Sequence, residues 1–397
     1  MKTFNILQTD FHRLWSGQTA RVLHLSRELA RRGHRVTIAS PAGSILGQRA
    51  RQAGLQIFEQ VNFKNISHPI HLFRDILALG CLIRSEGFDL IHVHGSQDTW
   101  AVALTMFFYG FRQPVVMTRH NSKPVRFHVW NRWLHRSVIR QLVTASSGAL
   151  ENYRPFFDAN ILREDEVRVI HSCIDIERFS GPSFPERIRA ELGLGRDDPL
   201  IGLVGRINRD KGHLVLLDAI PEVLREFPKA LFIFVGRGGM LPMERLVRDV
   251  IRSRALEQSV RLLGFREDIQ DVTAALDLSV LPAVGTDSSP AVLKEALFLG
   301  KPVVASRIGG IPEIVTEKMG ILVPPGDSNQ LAGAIISILR KIRLKGHRRP
   351  GAFPHRFTPD YLCTAYLGVY EEMLNHKAAP SLRSKVVHCR DKKESRR

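Results

Sequence analysis

Apolar residues along this chain fall into short runs of four to six, and between the runs they recur every three or four positions. Strands covered on both faces read as unbroken apolar strings, and helices that cover a sheet show the 3.6-residue period. In the first half the runs 4–8, 35–40, 90–94, 114–118 and 141–145 are predicted strands, and 20–32, 73–84 and 130–141 are predicted helices. The segment after 35–40 is rich in Gly and Arg and is expected to be a turn region. At 180–199 the pattern breaks into SGPSFPERIRAELGLGRDDP, the composition of a linker with one short helix. Beyond it the alternation resumes. Strands are expected at 200–204, 231–235, 260–262, 278–281 and 302–305, with helices at 214–227, 242–254, 290–298 and 330–342. Residues 359–375 form an amphipathic stretch that is expected to pack against a domain.

Strands alternating with helices of ten or more residues predict an α/β protein with parallel, doubly wound sheets. The 397 residues exceed what a single core usually accommodates, roughly 250–300. Two Rossmann-like domains are expected: 1–178, then a linker 179–199, then 200–356. A helix 357–376 should return toward the first domain, ahead of a basic, disordered tail 377–397.

The net charge of +18 sharpens this division. Residues 1–175 carry 22 basic and 13 acidic side chains (+9), residues 176–340 carry 21 of each, and the last 57 carry 14 and 5 (+9). The excess suits an anionic membrane surface or a phosphorylated glycolipid. No zinc-finger, RNA-binding or basic-zipper pattern accompanies it, so no nucleic acid partner is expected. Four scattered cysteines, Cys81, Cys173, Cys363 and Cys389, form no CxxC pair. The chain begins without an apolar leader, and its most apolar windows, 76–83 and 101–111, fall short of the ~20 residues of a membrane span. The expectation is a cytoplasmic protein that touches the inner face of the membrane without crossing it.

Ligands of parallel sheets bind beyond the carboxyl ends of the strands. Ser16 and Gly17 stand there at a helix mouth, where free N–H groups suit a phosphate; a plain helix cap is the alternative. No GxGxxG follows the first strand, which argues against a nicotinamide or flavin. Arg206 and Lys211 follow the 200–204 strand, spaced to clamp a diphosphate; a solvated basic loop is the alternative. Asp287 precedes a helix and Glu295 lies eight positions on, with the N–H groups of Ser289 to Val292 between them as phosphate donors, Pro290 supplying none, and Ser288 as a further donor-binding candidate; a helix cap at Asp287 and a surface acid at Glu295 are the alternative. His92 and His94, two apart at a strand end, are expected on opposite faces, with His94 lining the cleft and His92 in the core. The stretch RFHVWNRWLHRSVIR at 126–140 reads either as an interfacial helix or as a core helix with a basic outer face.

The glycine loop with SRELARRGHRV, then DLIHVHG, VIHSCIDIERF, VGRINRDKG, LFIFVGRGG, VRLLGFRED and the run from Asp287 to GILVPPGD resemble the family 4 nucleotide-sugar glycosyltransferases over residues 4–374. The resemblance implies the GT-B fold, two Rossmann-like domains facing each other across a cleft, and a retaining transfer from a nucleotide-diphosphate sugar to a glycan or glycolipid acceptor. Bacterial cell-surface polysaccharide or lipopolysaccharide synthesis is the implied setting. It further implies that Arg206 and Lys211 bind the diphosphate, Glu295 the ribose and Gly17 the phosphates from the other domain, and that His120 lies near the anomeric carbon. No metal or other cofactor is expected, since two cations take that role. The sequence departs from the family at Asp287, where a glutamate is usual, and at Ser172-Cys173, where Asn-Gly is usual. A nucleotide-sugar epimerase and a silent sugar-nucleotide binder remain as alternatives.

Overall fold

The computed structural model describes residues 2–64, 67–121, 123–236, 241–285, 287–346 and 352–375. They form two wholly parallel sheets. The first has the order β3-β2-β1-β4-β5-β6-β7, from Asn5–Thr9 (β1), Arg35–Ala39 (β2), Gln56–Phe58 (β3), Leu90–Val93 (β4), Val115–Arg119 (β5), Ile139–Thr144 (β6) and Val167–Val169 (β7). The second has the order β10-β9-β8-β11-β12-β13, from Leu200–Val204 (β8), Leu231–Val235 (β9), Val260–Gly264 (β10), Leu278–Leu281 (β11), Val303–Ser306 (β12) and Gly320–Val323 (β13). Strands such as β9 (LFIFV) are buried at every position, because helices cover both faces.

Three strands went unpredicted: the three-residue β3 and β7 lie at sheet edges, and β13 follows a loop with no helical stretch to announce it. The supposed turn region after β2 contains the helix Ile45–Gln52, capped by the Ser44 side chain, which accepts from the Gly47 N–H at 3.0 Å. The helix expected at 130–141 is also corrected. Helical geometry covers Val129–Trp133, widens into a π turn at Leu134–Val138, and gives way to β6, whose β-branched Ile139 and Val143 are buried. Leu134 enters the core and Trp133 stacks on Trp100 with ring centroids 6.2 Å apart, whereas Trp130 is 63% exposed.

The segment 185–191 is a helix whose Ile188 packs beneath Leu200, Leu231 and Val272, so it belongs with the second core. Helix Pro359–Asn375 crosses back and buries Leu362, Tyr366 and Tyr370 against Phe4, Ile6, Val22 and Leu90 of the first. Residues 376–397, including the tail expected to be disordered, lie outside the described residues.

Strand order reverses between β1 and β4 and again between β8 and β11, which opens a crevice at the carboxyl edge of each sheet. These edges face one another. The loop after β6 meets the loop after β12: the Ser147 N–H donates to Glu313 at 2.9 Å, and Gly148 stands against the Gly309 carbonyl. Gly212 shows how tightly the second crevice is built. It closes the loop after β8 at φ 73°, and a Cβ there would lie 1.7 Å from the carbonyl oxygen of Pro282, directly after β11. Gly212→Ala is therefore expected to lower stability in urea unfolding by more than about 2 kcal/mol, the scale of combined backbone strain and overpacking.

Candidate functional site

The loops leaving β8 and β11 bring together residues far apart in the chain. Lys211 ends a short 3-10 turn begun at Arg209 and capped by Asn208, whose side chain accepts from the Lys211 N–H at 3.2 Å. Its ammonium forms an ion pair with the carboxylate of Asp287, both side chains about one-fifth exposed. Asp287 is fixed from below, because its carbonyl accepts from the Gly310 N–H at 2.8 Å and a Cβ on Gly310 would strike the Ser288 carbonyl. Arg206 stands exposed at the mouth of the same loop. Ser288 is buried and Val292 half-buried; Pro290 is the N-cap of helix Ala291–Phe298 and provides no side-chain cap, which leaves the first N–H groups unclaimed by the cap residue.

Glu295 lies one turn into that helix. It keeps some exposure, yet the protein around it desolvates the carboxyl and pushes it up to about 7, against the pull of the Arg178 and Lys294 charges. Lys294 faces the other way. Fully buried, it donates to the Ser172 carbonyl and hydroxyl at 2.6 Å each and to the Ser289 hydroxyl at 3.0 Å, and burial pushes its ammonium down to about 7. The Ser289 side chain is therefore committed to the seam between domains, leaving only its backbone for a ligand.

Across the crevice, Ser16 caps helix Gly17–Arg31: its hydroxyl accepts from the Thr19 N–H at 3.3 Å, while the Thr19 hydroxyl accepts from the Ser16 N–H at 2.7 Å. The capping reading of Ser16 holds. Gly17 opens the helix, and a Cβ there would meet nothing within 4 Å, so the fold itself does not demand glycine at this position.

The histidines correct an expectation. Residues two apart on a strand share a face, and the rings of His92 and His94 lie 4.0 Å apart rather than on opposite sides. His92 is buried between Thr118 and Tyr370. His94, only 2% exposed, does not line the cleft; it holds His120, whose Nε2 lies 3.0 Å from His94 Nδ1. On the far side His94 Nε2 lies 3.0 Å from Gln8 Oε1, and the Gln8 amide nitrogen donates to Ser26. This chain sets the tautomers: His94 donates from Nε2 to the Gln8 oxygen, so its Nδ1 accepts from His120 Nε2, leaving the His120 Nδ1 lone pair as an acceptor. Burial lowers both histidines well below their usual value, which keeps them neutral.

Three residues of the site escaped sequence reasoning. Asp10 organises the loop after β1, its Oδ1 accepting from the Gln18 amide at 2.8 Å and meeting His12 Nδ1 at 2.9 Å. Asp98 is buried against Thr9 and the His94 N–H, and desolvation pushes it up to about 7. Lys294 is the third. Each reads as an ordinary loop, first-turn or helix-surface residue, and only the fold buries them. Among the described residues no cluster of three or more His, Cys, Asp or Glu forms a metal site.

Two doubly wound sheets with opposed carboxyl edges define a GT-B architecture. Comparison with known proteins agrees. Residues 15–178 match Glycosyltransferase Family 4 and residues 198–341 match Glycosyl transferases group 1. A D-inositol 3-phosphate glycosyltransferase of Corynebacterium jeikeium is 36% identical over 358 residues, 80% of this chain and 82% of the relative. A phosphatidyl-myo-inositol mannosyltransferase of Mycobacterium leprae is 29% identical over 271 residues, 64% of each chain, so this chain spans less than two thirds of that relative's length. Among solved structures, a glycosyltransferase of Rickettsia africae superposes with a TM-score of 0.82 at 19% identity, covering 94% of this chain and 99% of that one. The HepE protein of Anabaena, in complex with UDP, gives 0.78 at 22% identity, covering 93% and 100%. The chain belongs to the group 1, family 4 glycosyltransferases.

The raised carboxyl of Glu295 has a signed consequence. Between its ordinary 4.5 and about 7 the folded chain holds a proton that the unfolded chain has released, so this group's stabilising contribution falls as pH rises through that window. Glu295→Gln removes the effect. Its melting temperature relative to the unmodified protein is expected to rise from about pH 5 to about pH 8; a pH-independent difference would show that Glu295 ionises normally.

Proposed function

We propose that this protein is a retaining glycosyltransferase that moves a sugar from a nucleoside-diphosphate sugar to a glycan or glycolipid acceptor in the synthesis of a cell-surface polysaccharide or lipopolysaccharide. The observation that carries the reading is the meeting of Lys211, Asp287 and the uncapped helix Ala291–Phe298 at the reversal point of the second sheet, in a chain of this family. The UDP found with the HepE relative supports a nucleoside diphosphate as the leaving group.

In this reading the diphosphate takes Lys211 from Asp287 and adds Arg206, and the two cations neutralise the charge that develops as the glycosidic bond breaks. Asp287, released, turns its carboxylate to the sugar hydroxyls. Glu295 accepts hydrogen bonds from the ribose, Gly17 leaves room for phosphate from the opposite side, and the neutral His120 accepts a hydrogen bond at Nδ1 from a hydroxyl of the transferred sugar. The acceptor hydroxyl attacks from the face the diphosphate leaves and passes its proton to the departing diphosphate oxygen as the sugar–phosphate bond breaks, which retains configuration. No metal ion enters the scheme.

Two variants separate binding from chemistry. Arg206→Ala with Lys211→Ala is expected to lower turnover at least ~10²-fold, the scale of a lost preorganised charge stabiliser. Asp287→Asn should bind UDP as tightly as the unmodified protein or more tightly, since a competing anion is gone, while transfer falls about tenfold or more. Near-normal turnover in the double variant would refute the clamp.

The acceptor side faces an anionic membrane in the same reading. Phe107 and Phe108 are 65% and 67% exposed, Phe107 rests on Trp133, and Val129 and Trp130 stand 66% and 63% exposed on the adjoining helix, with Arg126 and Arg132 beside them. No helix among the described residues is long and apolar enough to cross a membrane. Binding to vesicles containing anionic lipid is expected at low salt and should weaken as screening shortens the range of the basic side chains. Absence of binding at low salt would remove membrane contact from the account.

A further inference from the structure

The strand that delivers His120 also serves a second site on its other face. Side chains alternate along β5: Thr118 meets His92 and His120 meets His94, while Met117 and Arg119 point to the opposite side. There they line a cavity of about 400 Å³ with Thr99, Trp100, Arg126, His135 and Tyr153 among its walls. It opens at the carboxyl ends of β4 and β5, one residue from His120, and its volume lies in the range that holds a small ligand.

The electrostatics of this cavity have one sign. No carboxylate lines it, and from residue 99 to 150 the chain contains seven Lys or Arg and no Asp or Glu. Helix Ser96–Tyr109 begins at its wall, and the N-cap Gly95 offers no side chain to satisfy the first N–H groups. Asp98, the acid of that first turn, is directed to Thr9 and the His94 N–H and does not line the cavity. Three polar atoms of the wall have no hydrogen-bond partner: Arg119 Nε, His135 Nδ1 and Tyr153 OH. His135 and Tyr153 are 4% and 0% exposed, so these are buried groups left unsatisfied by the chain. Burial holds His135 neutral, pushing it down to about 3, and keeps the Tyr153 phenol protonated as a donor, pushing it up to about 12. Trp100 adds apolar surface to the wall.

We propose that this cavity is an acceptor subsite that takes an anionic group, a phosphate or a carboxylate, carried beside the sugar to be glycosylated. The inference rests on the glycosyltransferase reading for the word acceptor, but the anion site is testable without it. The shared chemistry has two sources, a soluble sugar phosphate or a lipid-linked diphosphate, and both are probed.

The test is calorimetric titration of the full chain, with the donor crevice saturated by UDP, against glucose 6-phosphate, farnesyl diphosphate and glucose. At least one anionic probe is expected to bind and glucose to bind far more weakly. Arg119→Gln and Arg126→Gln should each weaken the anionic probe about tenfold or more, the scale of a lost charge-assisted hydrogen bond, with UDP affinity unchanged. Arg126 is exposed, so its variant keeps the test valid should Arg119→Gln not fold. Binding of the soluble probe alone identifies a free acceptor, and binding of the lipid probe alone a membrane-borne one. The proposal is overturned if neither anionic probe binds, if glucose binds equally well, or if binding is indifferent to Arg126. If UDP does not bind while an Arg126-dependent anion does, the cavity stands as an anion site and the donor reading falls.

Discussion

Lys211 and Asp287 stand 76 positions apart and meet because the second sheet reverses its strand order between β8 and β11. Two loops leave adjacent strands from the same edge and diverge, and the gap between them must be spanned by side chains or by a ligand. The chain spans it with one ion pair, held by Gly212 lying on the Pro282 carbonyl and by Gly310 under Asp287. A partly exposed pair of this kind contributes little to stability. Its importance in the proposed reading is positional: it keeps a cation and an acid partly exposed in one crevice, where a diphosphate could exchange with either at small cost.

The neighbouring dipeptide connects this crevice to the other domain. Consecutive helical side chains point about 100° apart, so Lys294 is directed into the seam while Glu295 turns away from it and keeps partial exposure near Arg178. Lys294 uses all three ammonium hydrogens on Ser172 and Ser289. Both groups are desolvated, and both are shifted toward their neutral forms. The short helix that begins beside the Lys211–Asp287 pair thus also carries the Lys294 contacts of the seam.

Much of this was legible in the sequence for a physical reason. Strands buried on both faces leave unbroken apolar runs, so β8, β9 and β11 were placed within a residue of their observed ends. The same reading put Arg206, Lys211 and Asp287 on loops at the carboxyl edge of the second sheet, and the structure has them there. What failed was local. The π turn at Leu134–Val138 continues a helical pattern into β6, and periodicity alone cannot mark where one gives way to the other. His92 and His94, two apart on one strand, share a face rather than lying on opposite ones. Asp10, Asp98 and Lys294 carry no signal in sequence at all, since their character comes from burial that only the assembled domains impose.

The account turns on where a nucleoside diphosphate sits, and a crystal structure of the protein with UDP answers that most directly. The account predicts diphosphate oxygens within about 3 Å of the Lys211 ammonium and the Arg206 guanidinium, with the ribose hydroxyls on Glu295 and Asp287 parted from Lys211. A nucleotide held elsewhere, with the Lys211–Asp287 pair intact, would contradict it.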